Sequence, residues 1–161
     1  MEEAGYCSDP GLVRVYPGVA EALRRLREAG FRLILVTNQS GIARGYFTEE
    51  EYRAVEAEFL RQLAPARLDA TYFCADPPGA VRRKPEPAMV LEAAAHFGID
   101  LASSYFVGDK ASDIECGRRA GTRTILVQTG YGSQHGDCGA DFTVADAEAA
   151  VDLILAGQAS R

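Results

Sequence analysis

Apolar residues recur along this 161-residue chain in two alternating rhythms, short unbroken runs and longer stretches with a helical repeat. Val19, Ala22, Leu23 and Leu26 fall on one face of a helix that Pro17 opens and Gly30 closes. An apolar run at 31–36 then reads as a strand. Thr48 followed three residues later by Glu51 forms a capping box, and Tyr52, Val55, Phe59 and Leu63 make the buried stripe of the helix it starts. A short strand at 70–74 leads through a loop rich in Pro and Gly to a helix at 87–97, stopped by Gly98. Residues 105–107 and 124–127 read as buried strands on either side of a helix at 111–120 that ends at Gly121. A weak strand at 141–144 and a helix at 147–156 complete the pattern. Strands alternating with helices imply an α/β fold with a doubly wound, parallel, Rossmann-like sheet. With no internal repeat and no interdomain linker, residues 1–161 are expected to form one domain.

A chain of this length buries roughly 68–70% of its unfolded surface and needs no covalent staples. Its cysteines, Cys7, Cys74, Cys116 and Cys138, are scattered without CxxC spacing. With no secretory signal and no apolar run of membrane length, a cytoplasmic location without a membrane partner is expected. Acidic residues outnumber basic ones, 23 to 17, for a net charge of -6, which argues against nucleic acid as the main partner. The positive charge is nonetheless concentrated locally. Arg44, Arg83, Lys84 and Lys110 all fall in three loops that follow apolar runs, and a small phosphorylated metabolite is the partner this arrangement admits.

Those loops are VTNQSGIARG at 36–45, RRKP at 82–85 and VGDKASD at 107–113. Following strands of one parallel sheet, they would deliver their polar groups to the same sheet edge. The Thr37 hydroxyl and the backbone amides of Asn38, Gln39, Ser40 and Gly41 suit phosphoryl oxygens, although a lone threonine is an ordinary strand-end residue as well. Arg44 reaches either an anion or solvent. Pro85 holds the Lys84 ammonium near the sheet edge, in a pairing that ordinary surface turns also use. Asp109 and Asp113, four residues apart, place two carboxylates on one face of the first helical turn. Mg2+ takes such oxygens and keeps several waters, so Asp109 is expected as its ligand. Asp113 either orients the groups behind it or complements the helix N-terminus. His96 sits at a helix end, His135 lies in a Gly-rich loop, and Cys116 reads as core.

Together these segments resemble the haloacid dehalogenase superfamily of Mg2+-dependent phosphatases. TNQSGIARGYF, RKP and VGDK are similar to the branch that contains heptose bisphosphate phosphatases and the histidinol-phosphatase domain, and the resemblance covers nearly all of the chain. It implies hydrolysis of a phosphomonoester through an aspartyl-phosphate. Thr37 and Lys84 would stabilise the phosphoryl group, Asp109 would hold Mg2+ with Asp113 behind it, Arg83 would recognise substrate and Lys110 would contact it. Asn38, Gln39, Ser40 and Arg44 would line the substrate site. The segment 3–6 matches a substrate-contacting turn in part, at Gly5 and Tyr6. A heptose bisphosphate is the first substrate implied, and histidinol phosphate the alternative.

The chain departs from the family pattern twice. The strand ending in Asp-x-Asp-Gly-Thr, which supplies nucleophile and acid/base, is not in the sequence; residues 1–6 align with what normally follows it. Neither Asp9 nor Asp69 takes its place. Two readings follow: a start codon assigned too late, which leaves a central strand missing, or a non-catalytic phosphoester-binding protein that covers its open strand edges, for instance by dimerising. Either way these residues alone are expected to release no phosphate, and a full-length protein carrying the strand is expected to be a monomer. A phosphoacceptor receiver domain shares the α/β pattern but gives no reason for the TNQSG and RKP loops. Second, many relatives carry a zinc loop before RKP. Here Cys74 stands without a second cysteine or a histidine in 75–83, so no Zn2+ is expected.

Overall fold

A computed structural model describes Met1, Glu2 and residues 5–159. The chain divides into two compact units, Met1–Ala80 and Val81–Arg161.

In the first unit a 3₁₀ turn at Pro10–Leu12 precedes α1, Val19–Glu28, which buries Ala22 and Leu26. Gly30, at φ +89°, turns the chain out of the helix. β1 runs over Ile34–Asn38, three residues later at its start and two at its end than the apolar run predicts. Asp69 is the reason. Its carboxylate accepts the Leu33 amide at 2.8 Å, its own amide donates to the Leu33 carbonyl at 2.7 Å, and Arg27 and Arg32 pair with it, so the run is tied down before the ladder begins. The short helix α2, Ser40–Ala43, occupies what the sequence reads as loop. Gly41 lies buried under the Phe47 ring, where any Cβ would collide.

Helix α3, Glu49–Gln62, has the expected capping box: Thr48 Oγ1 accepts the Glu51 amide at 3.2 Å, and Glu51 Oε2 accepts the Thr48 amide at 2.6 Å. Tyr52, Val55 and Leu63 are buried as predicted, but Phe59 is only half-buried. Glu56 is buried in its stead, accepting hydrogen bonds from Tyr52 at 2.9 Å and Arg53 at 2.8 Å. β2, Ala70–Cys74, pairs in parallel with β1, with Ile34 opposite Ala70 and Asn38 opposite Cys74.

The second unit begins its regular structure with α4, Ala88–Phe97, ended by Gly98 at φ +63°. There follow a 3₁₀ turn at Leu101–Ser103, β3 at Tyr105–Gly108, α5 at Ala111–Ala120, β4 at Arg123–Val127, a turn at Gly132–Gln134, β5 at Phe142–Val144 and α6 at Ala147–Ala159. The three strands form a parallel sheet in the order β3-β4-β5. Central β4 is buried from Thr124 to Val127. β3 is less buried than predicted, with Val107 39% exposed, because among the described residues it has a ladder partner on one side only. Helix α5 packs on β3 and β4, and Gly117 permits that approach, since a Cβ there would crowd Phe106 and Thr124. Parallel strands with helices between them make this the expected α/β class. Among the described residues no helix is long and apolar enough to cross a membrane.

Candidate active site

The predicted site residues divide between the units. In the second, β3 ends in Gly108 and passes directly to Asp109, Lys110 and the first turn of α5. Asp113, 5% exposed, folds back onto this junction: its Oδ2 accepts the amides of Asp109 at 3.2 Å and Lys110 at 3.1 Å. Its Oδ1 meets Lys84 Nζ at 2.8 Å, and only 11% of the Lys84 side chain is exposed. Asp113 thus accepts the first amides of the helix N-terminus and pairs with a lysine at once. The Lys84 ammonium also lies 5.9 Å from the centre of the Phe106 ring. Arg83, beside it, is half-buried, and its carbonyl accepts the Glu86 amide at 2.8 Å.

Asp109 uses one oxygen within the protein, Oδ2, which accepts the Tyr131 amide at 3.0 Å. Its Oδ1 has no hydrogen bond among the described residues. An ionised carboxylate oxygen left open in this way is a hard donor suited to Mg2+. Asp113, by contrast, has both oxygens engaged within the protein. No group of three or more His, Cys, Asp or Glu that could hold a metal ion is gathered among the described residues. Lys110 is exposed, and its Nζ stands 4.0 Å from the centre of the Tyr131 ring. Tyr131 carries no mark in the sequence beyond the glycines on both sides of it.

In the first unit Thr37 and Asn38 are strand residues, opposite Phe73 and Cys74. Thr37 Oγ1 accepts from Gln39 Nε2 at 3.1 Å, so the Gln39 side chain turns toward the threonine. The Gln39 amide is not open to a ligand, as the loop reading expects, but donates to the Cys74 carbonyl at 2.7 Å; Ser40 begins α2. Arg44 lies over the Tyr6 ring at 5.7 Å, and Tyr6 meets Tyr46 edge to face at 4.8 Å. Gly5 precedes Tyr6 at φ +64°, while Glu3 and Ala4 of the same turn lie outside the described residues.

The other candidates are structural. Cys74 is buried and approaches Asp76 at 3.6 Å. Cys116 is fully buried, and burial pushes its thiol up to about 11, which keeps it neutral and unreactive near pH 7. His96 stacks on Phe97 at the end of α4, and the His135 amide closes the turn at Gly132–Gln134.

The HAD-hydrolase-like family model matches residues 81–151. The D-glycero-D-manno-heptose-1,7-bisphosphate 7-phosphatase of Thermosynechococcus vestitus is 40% identical, over 99% of this chain and 92% of its own. The D-glycero-beta-D-manno-heptose-1,7-bisphosphate 7-phosphatase of Yersinia pestis is 40% identical over 94% of this chain and 81% of its own. Among solved structures, the D,D-heptose 1,7-bisphosphate phosphatase from B. bronchiseptica, complexed with magnesium and phosphate, superposes with a TM-score of 0.88 at 32% identity, covering 98% of this chain and 92% of that one. Likeness on this scale takes in the first unit as well as the matched segment, and so the chain belongs to the haloacid-dehalogenase-like phosphatases, in the branch that holds the heptose bisphosphate phosphatases.

Proposed function

We propose that the protein serves Mg2+-dependent hydrolysis of a phosphate ester on a small sugar, D-glycero-D-manno-heptose 1,7-bisphosphate first, with the nucleophilic aspartate supplied by a strand that these 161 residues do not contain. The observation that carries the reading is the cluster of Lys84, Asp109, Lys110 and Asp113 around the end of β3. An ammonium has three N–H donors. Asp113 engages this ammonium at 2.8 Å, which narrows the directions in which Lys84 can stabilise a phosphoryl oxygen. Phosphoryl transfer asks mainly for charge held in place, and a side chain already locked by a buried partner supplies it without reorganising. Thr37 contributes in the same sense: its oxygen accepts from Gln39, so its own proton is left to donate. Mg2+ would neutralise the remaining phosphate charge from Asp109. Arg83, Lys110 and the Tyr6–Arg44 pair would meet the sugar phosphate, together with Asn38 and Ser40.

The nucleophile is proposed to lie elsewhere because no Asp-x-Asp-Gly-Thr occurs in the sequence, and because β1 and β3 each pair on one side only among the described residues. The test is to place an apolar strand ending in that motif ahead of Met1 and measure phosphate release from heptose bisphosphate and from histidinol phosphate. Turnover that requires Mg2+ and prefers the heptose is expected, with Asp109→Asn lowering it about a hundredfold or more. An unchanged Asp109→Asn rate removes the metal assignment. Turnover by the pure 161-residue chain removes the nucleophile assignment, whereas binding of sugar phosphate with no turnover in either form supports a non-catalytic binder.

A further inference from the structure

We infer that the turn after β4 is a positioning element for this site, and that Tyr131 holds the two neighbouring residues Asp109 and Lys110 by different parts of itself. This rests on the reading that Asp109 meets the cation and Lys110 the phosphorylated substrate. The main chain of Tyr131 pins Asp109: its amide donates to Oδ2 at 3.0 Å, which fixes the plane of the carboxylate and leaves Oδ1 turned elsewhere. Its ring seats Lys110, whose ammonium stands 4.0 Å from the ring centre. A lysine on a flexible four-carbon stem is otherwise spread over many rotamers, so a ring that collects its charge narrows where that charge points.

The turn is built for this approach. Gly130 sits at φ +63°, and a Cβ on it would collide with Asp109 Oδ2. A Cβ on Gly132 would collide with the Val127 carbonyl oxygen, so the strand end, the turn and the carboxylate are in contact through bare backbone. Backbone that close to a carboxylate leaves no slack, and the Asp109 orientation follows that of the turn. Groups behind a metal ligand are worth as much as tenfold to a hundredfold in metal affinity, so Gly130–Tyr131 belongs to the site although neither residue is a ligand.

The test uses the 161-residue chain, with Mn2+ and inorganic phosphate as probes. Nuclear magnetic resonance reads the contacts directly. The Lys110 ε-methylene protons should be shifted upfield by the ring in the parent and in Tyr131→Phe, and return to the ordinary lysine position in Tyr131→Leu. The Tyr131 amide proton should move upfield in Asp109→Asn as its charged acceptor is lost. In titrations, Gly130→Ala should weaken Mn2+ about tenfold. Tyr131→Leu should weaken phosphate about two- to fivefold, with Tyr131→Phe restoring it. Lys110 signals and phosphate affinity untouched in Tyr131→Leu overturn the proposal, as does a folded Gly130→Ala protein with parental Mn2+ affinity. Should Gly130→Ala not fold, the two Tyr131 variants still decide. Mn2+ binding indifferent to Asp109→Asn would overturn the metal reading instead, while the resonance shifts continue to report on the contacts themselves.

Discussion

Lys84 and Asp113 meet at 2.8 Å with 11% and 7% of their side chains exposed, and Asp113 also carries the amides of Asp109 and Lys110. A buried pair of this kind contributes little net stability when formed, because both ions give up their hydration, yet breaking it from one side leaves the other charge buried without its main counter-charge. Asp113→Ala is therefore expected to cost about 3–5 kcal/mol, read as a shift of the urea midpoint. Asp113→Asn, which keeps an acceptor for the two amides, should cost less. A loss below about 1 kcal/mol for the alanine variant would mean that Lys84 finds water once Asp113 is gone, as it would at an exposed site. Both residues stand out in the sequence, one before a proline and one four residues after Asp109. That they meet does not, because helical spacing places a side chain on a face without saying what faces it.

At the scale of elements, the strands differ in how fully their backbones are used. β4 has a ladder on both sides and is buried over most of its length, whereas β1 pairs with β2 alone and β3 with β4 alone among the described residues. Protection against amide hydrogen exchange follows paired, buried backbone. The amides of β4 should exchange more slowly than those of β1 and β3 by about tenfold or more in a site-resolved measurement. Equal protection in all three would show that the open edges are covered in solution. Elements bounded by strong punctuation were legible in the sequence: Gly98 and Gly121 close α4 and α5 where expected, and the Thr48–Glu51 box opens α3. β1 starts later than its apolar run because Asp69, from a distant part of the chain, takes the Leu33 backbone out of the run. α2 reads as loop in the sequence because four residues are too few for a hydrophobic period, and the packing of Phe47 on Gly41 is a contact that pattern alone does not show. The contact between Tyr131 and Asp109 was equally hidden, since a main-chain donor leaves no mark in a residue type.

For the molecule as a whole, response to acid links these local ties to the charge of -6. In the second unit the Thr124 amide, and then its hydroxyl, hold the Asp141 carboxyl below its usual value. In the first, burial raises Asp69, but the Leu33 amide with Arg32 and Arg27 outweighs it and the net shift is downward. Glu56 behaves likewise: burial raises it, and hydrogen bonds from Arg53, Tyr52 and Thr71 bring it lower. A carboxyl whose folded value lies below its unfolded one adds stability that is complete above the unfolded value and is lost as pH falls through the folded one. The contribution should therefore be whole above about pH 5 and fade below about pH 4. Over the same range the acidic residues lose their charge, and the 17 Lys and Arg repel one another unopposed. Replacement by asparagine separates the two effects. Asp69→Asn and Asp141→Asn should each lower the urea midpoint at pH 7 and converge on the parent as the pH falls through the parent's lowered folded values and its own carboxyls become protonated. Parent and variant curves that stay parallel down to acid would instead assign the loss at low pH to self-repulsion across the molecule.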